Sequence, residues 1–190
     1  WKSVWRIKGM AISAGEAYNE GNIIVRNGVG MTNNTSTQTP SRTIINKGTQ
    51  VLTKNLVNCD VINEGTLAGG VTIYGNLYNA KGAKMSVTNV YGKVNNKGEI
   101  TVEYVQGSIY NGKYYAEKDD AAIAPVVEAS ATIVTANATV NNWASMKLNN
   151  LNGERGWSNK PGATLELLGS EVMFGQGGEN HRDATMVISG

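Results

Sequence analysis

Several residue types that would point to other classes of protein are scarce in this sequence. Its 190 residues include one Cys, one Phe, one His and three Pro. A single cysteine excludes an internal disulfide, and a single histidine leaves little material for a metal centre or a histidine-based catalytic site. Charged residues make up only 17% of the chain and the net charge is +2, so the sequence is charge-poor for a soluble domain.

Basic stripes and long apolar runs are also missing. Lys and Arg are scattered along the sequence, whereas nucleic-acid binding requires a basic patch, so no nucleic-acid partner is predicted. No run of about 18 apolar residues occurs, so no transmembrane segment is predicted within this chain. The sequence begins at Trp1 rather than at Met, as expected for a trimmed or mature fragment.

What the sequence does have is a short repeat that ends in Asn. Each copy consists of a β-branched residue, any residue, a tiny residue, any residue, an aliphatic residue, any residue and Asn; the copies span residues 57–63, 73–79, 90–96 and 105–111. Their closing Asn residues lie 16, 17 and 15 positions apart, and Gly follows each within three residues. Alternation at period two within a repeat of this length predicts a β-solenoid, each turn of which supplies two short strands joined at a corner.

Alternate side chains of a strand point the same way, so the repeat predicts columns of like residues inside the solenoid. The inward columns are Val57, Ile73, Val90 and Val105; Cys59, Gly75, Gly92 and Gly107; and Val61, Leu77, Val94 and Ile109. The small residues are expected to let the opposite wall approach closely, with Cys59 as a small buried hydrophobe. The closing Asn residues are expected at corners that need left-handed backbone, and in a ladder of hydrogen bonds from turn to turn.

We predict a single all-β domain over residues 1–190, a single-stranded parallel β-helix (β-solenoid) of about seven turns with irregular caps. Residues 1–42 are assigned to an N-terminal cap, 43–111 to regular turns, 112–130 to an excursion, and 131–190 to degraded turns and a C-terminal cap. Residues 159–167 parallel residues 79–87 closely, which indicates that one solenoid runs the length of the chain.

The repeats also resemble those of a known group of proteins. The runs GKVNNKGEITV (residues 92–102) and GNLYN (residues 75–79) resemble the G-x-V-x-N-x-G-x-I repeats of bacterial surface β-helices, found in autotransporter passengers and haemagglutinin-like adhesins. The chain is also similar to the solenoid part of Bacteroidetes surface proteins with LruC-type domains. The resemblance covers residues 43–111 and, more loosely, 131–170. It implies a right-handed coil, an extracellular or bacterial cell-surface location, and an adhesive or structural role with a glycan or a host or bacterial surface protein as partner.

No catalytic residue, metal ligand or cofactor is predicted. Glu179, His181 and Asp183 alternate near the end of the chain, but one strand face supplies too few metal ligands, and a polar loop is the preferred interpretation. A polysaccharide lyase or glycoside hydrolase gathers its carboxylates on one outer face. The acidic residues of the regular turns are instead predicted in different registers: Asp60, Glu64, Glu99 and Glu103.

Outward tyrosines are the candidate ligand-binding residues. Tyr74 and Tyr91 occupy equivalent outward positions on adjacent turns, and Tyr78 and Tyr110 share another outward column with Asn95 between them. Tyrosines stacked along a sheet can bind sugar rings. The competing interpretation is ordinary cross-strand aromatic pairing, or cover by the excursion.

The sequence therefore predicts a non-enzymatic cell-surface or secreted structural or adhesion module that presents a rigid β-helix face. The alternative is a carbohydrate-active β-helix that binds or cleaves a polysaccharide. A trimeric fibre component is a third possibility, which would need an exposed apolar face.

Overall fold

A computed structural model describes residues 4–7, 15–19, 22–25, 42–52, 55–56, 59–118, 120–152, 155–169, 172–173 and 177–189. Val57 of the first predicted column lies outside these residues. So do residues 26–41, which belong to the predicted N-terminal cap.

Within the described residues, twenty β-strands form two sheets in which all pairs are parallel. The eleven-stranded sheet contains β1 (Val4–Ile7), β3 (Asn22–Val25), β5 (Thr49–Val51), β7 (Thr66–Ile73), β9 (Lys84–Val90), β11 (Glu99–Val105), β13 (Ser130–Ala136), β15 (Ser145–Asn152), β17 (Thr164–Leu167), β18 (Val172–Met173) and β20 (Thr185–Ile188). The nine-stranded sheet contains β2 (Gly15–Asn19), β4 (Arg42–Asn46), β6 (Cys59–Asn63), β8 (Leu77–Asn79), β10 (Lys93–Asn96), β12 (Ser108–Asn111), β14 (Thr139–Asn142), β16 (Trp157–Asn159) and β19 (Gly178–Asn180).

The chain alternates between the two sheets, so each turn supplies a strand to both. About eight turns stack in this way, which confirms the predicted β-solenoid with slightly more turns than the sequence indicated. A short 3₁₀ turn, Tyr115–Glu117, is the helical element between β12 and β13. In the part of the chain that the structure describes, no helix is long and apolar enough to cross a membrane.

The longer strands are interrupted near their middle. In the pairing of β9 with β11, Val87 lies opposite Val102 and Asn89 opposite Tyr104, while the residue between is skipped. The first part of β15 pairs with β17 and its last two residues pair with β18. The turns that contain β7, β9, β11, β13 and β15 therefore have three short segments: one strand of the nine-stranded sheet and two halves of a longer strand.

The inward columns form a continuous apolar core, as predicted. Among the described column members, the following are fully buried at 0% exposure: Cys59, Val61, Ile73, Leu77, Val90, Val94, Val105 and Ile109. They belong to one cluster that runs from Ile44 to Leu167. Burial of each large aliphatic side chain contributes about 1.5–3 kcal/mol, so the core is distributed evenly along the stack rather than concentrated at its centre.

The small-residue column has a different cause from the one predicted. A Cβ atom on Gly75 would collide with the backbone oxygen of Cys59, and a Cβ on Gly92 would collide with that of Gly75. The same relation holds between Gly107 and Gly92. These oxygens belong to the preceding turn and not to the opposite wall, so the prediction of a close approach across the core was wrong. Glycine is needed here because successive turns stack at this point.

The closing Asn residues form the predicted ladder. Each Nδ2 donates to the Oδ1 of the next Asn at 2.7–2.9 Å, through Asn46, Asn63, Asn79, Asn96, Asn111, Asn142, Asn159 and Asn180. The first seven are fully buried. The predicted left-handed backbone was wrong, since Asp183 is the only non-glycine residue with positive φ in the described part of the chain. Asn is required for its side-chain amide, not for its backbone.

Candidate functional site

The excursion folds back over the outer face of the nine-stranded sheet. The ring of Tyr114 meets the ring of Tyr78 edge-on at 5.7 Å between centroids, and Tyr115 meets Tyr110 in the same way at 5.1 Å. Between them, the backbone N–H of Tyr115 donates to Asn95 Oδ1 at 2.7 Å. Tyr78, Asn95 and Tyr110 do share one column, as predicted, but the excursion lies on top of it.

Charged contacts hold the excursion in place. Lys97 Nζ lies 2.6 Å from Glu117 Oε2, and both side chains are largely shielded, at 16% and 22% exposure. The Lys97 ammonium also lies 4.3 Å from the centroid of the Tyr114 ring, and Lys93 lies 3.8 Å from that of Tyr115. An ion pair shielded to this degree is stronger than an exposed one, so it fixes the start of the excursion.

Burial under the excursion changes both the exposure and the acidity of its tyrosines. Tyr110 is only 6% exposed. Burial, with the negative charge of Glu117 next, raises the pKa of Tyr114 to about 12. Burial also raises the pKa of Tyr78. In this arrangement, Tyr78 and Tyr110 reach solvent much less than a binding surface requires.

Tyr74 and Tyr91, by contrast, are exposed and stacked. Their ring centroids are 5.0 Å apart and their planes differ by 6°, with 48% and 40% of each residue exposed. Two rings this close and this parallel are stacked with an offset, because rings lying side by side in one plane would clash at this distance. Tyr104 continues the group, with its centroid 6.0 Å from that of Tyr91 and its plane tilted by 58°. Tyr74 and Tyr91 thus form an exposed stacked pair, with the partly exposed Tyr104 beside them.

These rings belong to a longer strip that the sequence interpretation missed. At the ends of β7, β9, β11, β13 and β15, one polar residue precedes and one follows a buried aliphatic residue, and the second lies just beyond the strand except in β15. We call these pairs the neutral strip: Thr72 and Tyr74, Asn89 and Tyr91, Tyr104 and Gln106, Thr135 and Asn137, Asn150 and Asn152. Thr72 is buried at 8% exposure, and the other nine residues are partly or largely exposed. The sequence does show this strip, because in five successive turns the residues on both sides of the buried aliphatic residue are uncharged.

The only histidine lies among polar groups on the last turns. His181 Nε2 is 3.0 Å from Ser158 Oγ, 3.3 Å from Glu179 Oε2 and 3.4 Å from Lys160 Nζ. A serine, histidine and acid triad needs the acid at the other ring nitrogen, so this geometry is not that of a triad. Asp183 adopts positive φ in a turn. No group of three or more His, Cys, Asp or Glu residues suited to a metal ion occurs among the residues that the structure describes.

Three acidic residues of the regular turns, Asp60, Glu64 and Glu99, contact different partners. Glu99 lies 3.1 Å from Lys84 on the neighbouring strand, and Glu64 is exposed at a corner. Asp60 Oδ1 accepts the backbone N–H of Asn76 at 2.7 Å. Burial raises the pKa of Asp60, against the opposing effect of that hydrogen bond. Glu99 and Asp60 therefore each have a local structural partner, and Glu64 lies 3.9 Å from Lys47.

A shallow groove of about 310 Å³ lies where the end of the excursion meets the turn before β9. Its lining includes Lys81, Lys84, Glu99, Val126 and Glu128. Lys81 faces Glu128 at 3.9 Å, with both side chains about 70% exposed, and Lys84 pairs with Glu99. Opposite charges thus alternate around this groove, which favours neither an anion nor a cation.

Together these features define a parallel β-solenoid that carries one exposed and one covered tyrosine group on its outside. Comparisons with protein-family models, with curated proteins and with solved structures gave no match. The surface of the chain itself therefore supplies the basis for a function.

Proposed function

We propose that this chain is a non-enzymatic, cell-surface or secreted module that presents a rigid β-solenoid face for adhesion or spacing. The observation that supports this role most directly is the unbroken Asn ladder from Asn46 to Asn180. It keeps the turns in one register, so that outer side chains stand in straight columns at a spacing of about 4.8 Å. A rigid solenoid with repeated surface columns can present a binding face to a partner, or can act as a spacer between two attached groups.

The location is part of the same proposal. The repeats over residues 92–102 resemble those of bacterial surface β-helices, which favours an extracellular or bacterial cell-surface position and an adhesin-like role. The partner would then be a glycan or a surface protein. Antibody labelling of intact source cells tests the location: we expect labelling before lysis, and labelling only after lysis would contradict it.

Adhesion is tested with the purified chain on beads. The beads are presented to surfaces coated with different polysaccharides, with proteins, or with neither, and retention is measured against flow. We expect saturable retention on at least one coating, with the coating material recovered unchanged. Absence of retention on every coating, by a chain whose circular dichroism shows intact β structure, would overturn the adhesive role.

A carbohydrate-active β-helix is the alternative, and the exposed stack of Tyr74 and Tyr91 favours it. Exposed aromatic rings beside amide side chains are typical of sugar-binding surfaces. Incubation with the polysaccharides that retain the beads separates binding from cleavage. A rise in reducing ends or in unsaturated sugar products would establish cleavage and replace the non-enzymatic proposal.

A further inference from the structure

We infer that the neutral strip binds an uncharged, extended polysaccharide whose chain runs parallel to the solenoid axis. This inference rests on the proposed surface role and adds to it a binding face and a ligand class. It extends the candidate surface from the two stacked tyrosines to five consecutive turns.

The strip is made only of uncharged side chains that donate and accept hydrogen bonds. Outward columns in the first halves of the same strands differ, since they carry the pairs Lys84–Glu99 and Lys147–Glu166, with 3.1 Å and 3.0 Å between charged atoms. Amides, hydroxyls and phenols match sugar hydroxyls, which also both donate and accept. A carboxylate or sulfate on the sugar would find no counter-ion within the strip and would lose hydration on binding.

Contacts along the strip hold its side chains in order. Asn89 Nδ2 donates to Thr72 Oγ1 at 3.0 Å, and Asn150 Nδ2 donates to Thr135 Oγ1 at 3.4 Å. Each bond joins neighbouring turns and uses one of the two N–H groups of the amide. The amides are thereby oriented before a ligand arrives, which reduces the entropy lost on binding.

The aromatic end of the strip supplies apolar contact. Tyr74 and Tyr91 are the most exposed rings of the strip, and the tilt of Tyr104 against Tyr91 turns its ring to a different angle. In this arrangement each ring exposes its edge, its hydroxyl group and part of one face to the solvent. The C–H groups of a pyranose ring pack on such surfaces while its hydroxyls reach the amides beside them.

The spacing of the strip fits an extended sugar chain. A chain of β-linked six-membered rings advances by about 5 Å per sugar, close to the spacing of about 4.8 Å between parallel strands. Successive sugars would therefore meet equivalent positions on successive turns, one sugar per turn. The ligand should occupy about five sugars, and affinity should rise with chain length up to that number.

Titration calorimetry with defined oligosaccharides tests this inference. Cellohexaose and mannohexaose are the neutral extended probes, maltohexaose is a neutral coiled probe, and the hexamer of β-linked mannuronate is an extended probe that differs from mannohexaose by its charge. We expect at least one neutral extended probe to bind, and the coiled and charged hexamers to bind at least about tenfold more weakly. Absence of binding by both neutral extended probes, or stronger binding of the mannuronate, would overturn the inference.

Two double variants locate the site. Tyr74→Ala with Tyr91→Ala removes the aromatic end, and Asn137→Ala with Asn150→Ala shortens the amide end; each should weaken binding at least about tenfold. The matched control, Lys147→Ala with Glu166→Ala, removes an outward pair of the same sheet outside the strip and should bind as the unaltered chain does. Unchanged binding in both strip variants, with circular dichroism intact, would place the ligand elsewhere.

The bead assay separates this inference from the broader proposal. Loss of oligosaccharide binding in the strip variants together with loss of bead retention supports both. Beads that remain attached to a coating while no oligosaccharide binds would overturn the glycan inference and leave the adhesive role in place. Failure of retention and of binding by the unaltered chain would overturn both.

Discussion

At the level of single residues, the fold depends on one buried carboxamide in each turn. Asn96 shows the full set of contacts: its Nδ2 donates to Asn111 Oδ1, to the Gly98 oxygen and to the Ser130 oxygen, and its Oδ1 accepts from Asn79 Nδ2 and from the Gly98 N–H. A buried polar group left without its partner costs about 1–3 kcal/mol. One such side chain therefore stabilises two corners and the contact between turns.

We predict that Asn96→Asp strongly destabilises the protein. The aspartate has the same shape but no N–H donor, and its charge would face three oxygen atoms in a buried site. The free energy of unfolding should fall by at least about 3 kcal/mol, measured by urea denaturation followed by circular dichroism. Asn180→Asp, at the exposed end of the ladder, is the control and should have a much smaller effect. Equal stability of the two variants would refute this role of the ladder.

Asp60 gives a pH-dependent prediction. Because burial raises its pKa above the ordinary value of 3.8, the folded chain retains the proton at pH values where the unfolded chain has released it. Stability from this group is therefore greatest below pH 3.8 and declines as pH rises through the folded pKa. Asp60→Asn keeps an acceptor oxygen for the Asn76 N–H without an ionisable group.

The measurement is the melting temperature of both proteins at acidic and at neutral pH. Asp60→Asn should melt at a higher temperature than the unaltered chain at neutral pH, and this advantage should shrink under acidic conditions. A lower melting temperature for the variant at neutral pH would show that the carboxylate itself is stabilising.

At the level of elements, the excursion is a segment attached to the solenoid by a few specific contacts. We predict that Glu117→Gln loosens it, because the shielded ion pair with Lys97 is lost. Docking should weaken by about 1 kcal/mol, seen as faster amide hydrogen exchange over residues 112–118 and earlier protease cleavage in the excursion. Exchange in β10 and β12 should stay slow, since their backbone bonds are within the stack.

Glu128→Gln provides the matched control for that experiment. Its pair with Lys81 spans 3.9 Å and is about 70% exposed on both sides, so its loss should change exchange very little. If the two variants loosened the excursion equally, overall charge rather than the shielded pair would be the cause.

The regular elements could be predicted from sequence, whereas cover of the Tyr78 column by the excursion was one of two competing interpretations that the sequence left open. Alternation at period two decides which side chains point inward, so the columns that contain Ile73, Leu77 and Cys59 follow from spacing alone. The preference for Asn at the strand ends fits both left-handed backbone and amide stacking, and only the structure distinguishes them. The approach of Tyr114 and Tyr115 to the Tyr78 column comes from a segment without periodicity, whose path no repeat specifies.

At the level of the whole molecule, the turns interact only with their neighbours, so the solenoid should tolerate the loss of a complete turn. Deleting residues 64–79 removes 16 residues, from one ladder position to the next. Asn63 would then be followed by the segment that leads into β9, with Asn96 as its new ladder partner. We expect a cooperative unfolding transition and unchanged β circular dichroism.

Deletion of half that segment, residues 64–71, is the contrasting experiment. It would place outward residues in the core and break the ladder, so we expect loss of the folded state. A stable protein from the half-turn deletion, or an unfolded one from the full-turn deletion, would contradict a stack held by register.

The ladder also gives the molecule a net dipole along the solenoid axis. Each carboxamide from Asn46 to Asn159 donates to the ladder Asn of the following turn, so these amide dipoles align along the axis. Each aligned dipole polarises the next, and bonds in the interior of such a chain are stronger than those at its ends. The middle of the solenoid is therefore its most resistant part, and melting should advance inward from the two ends.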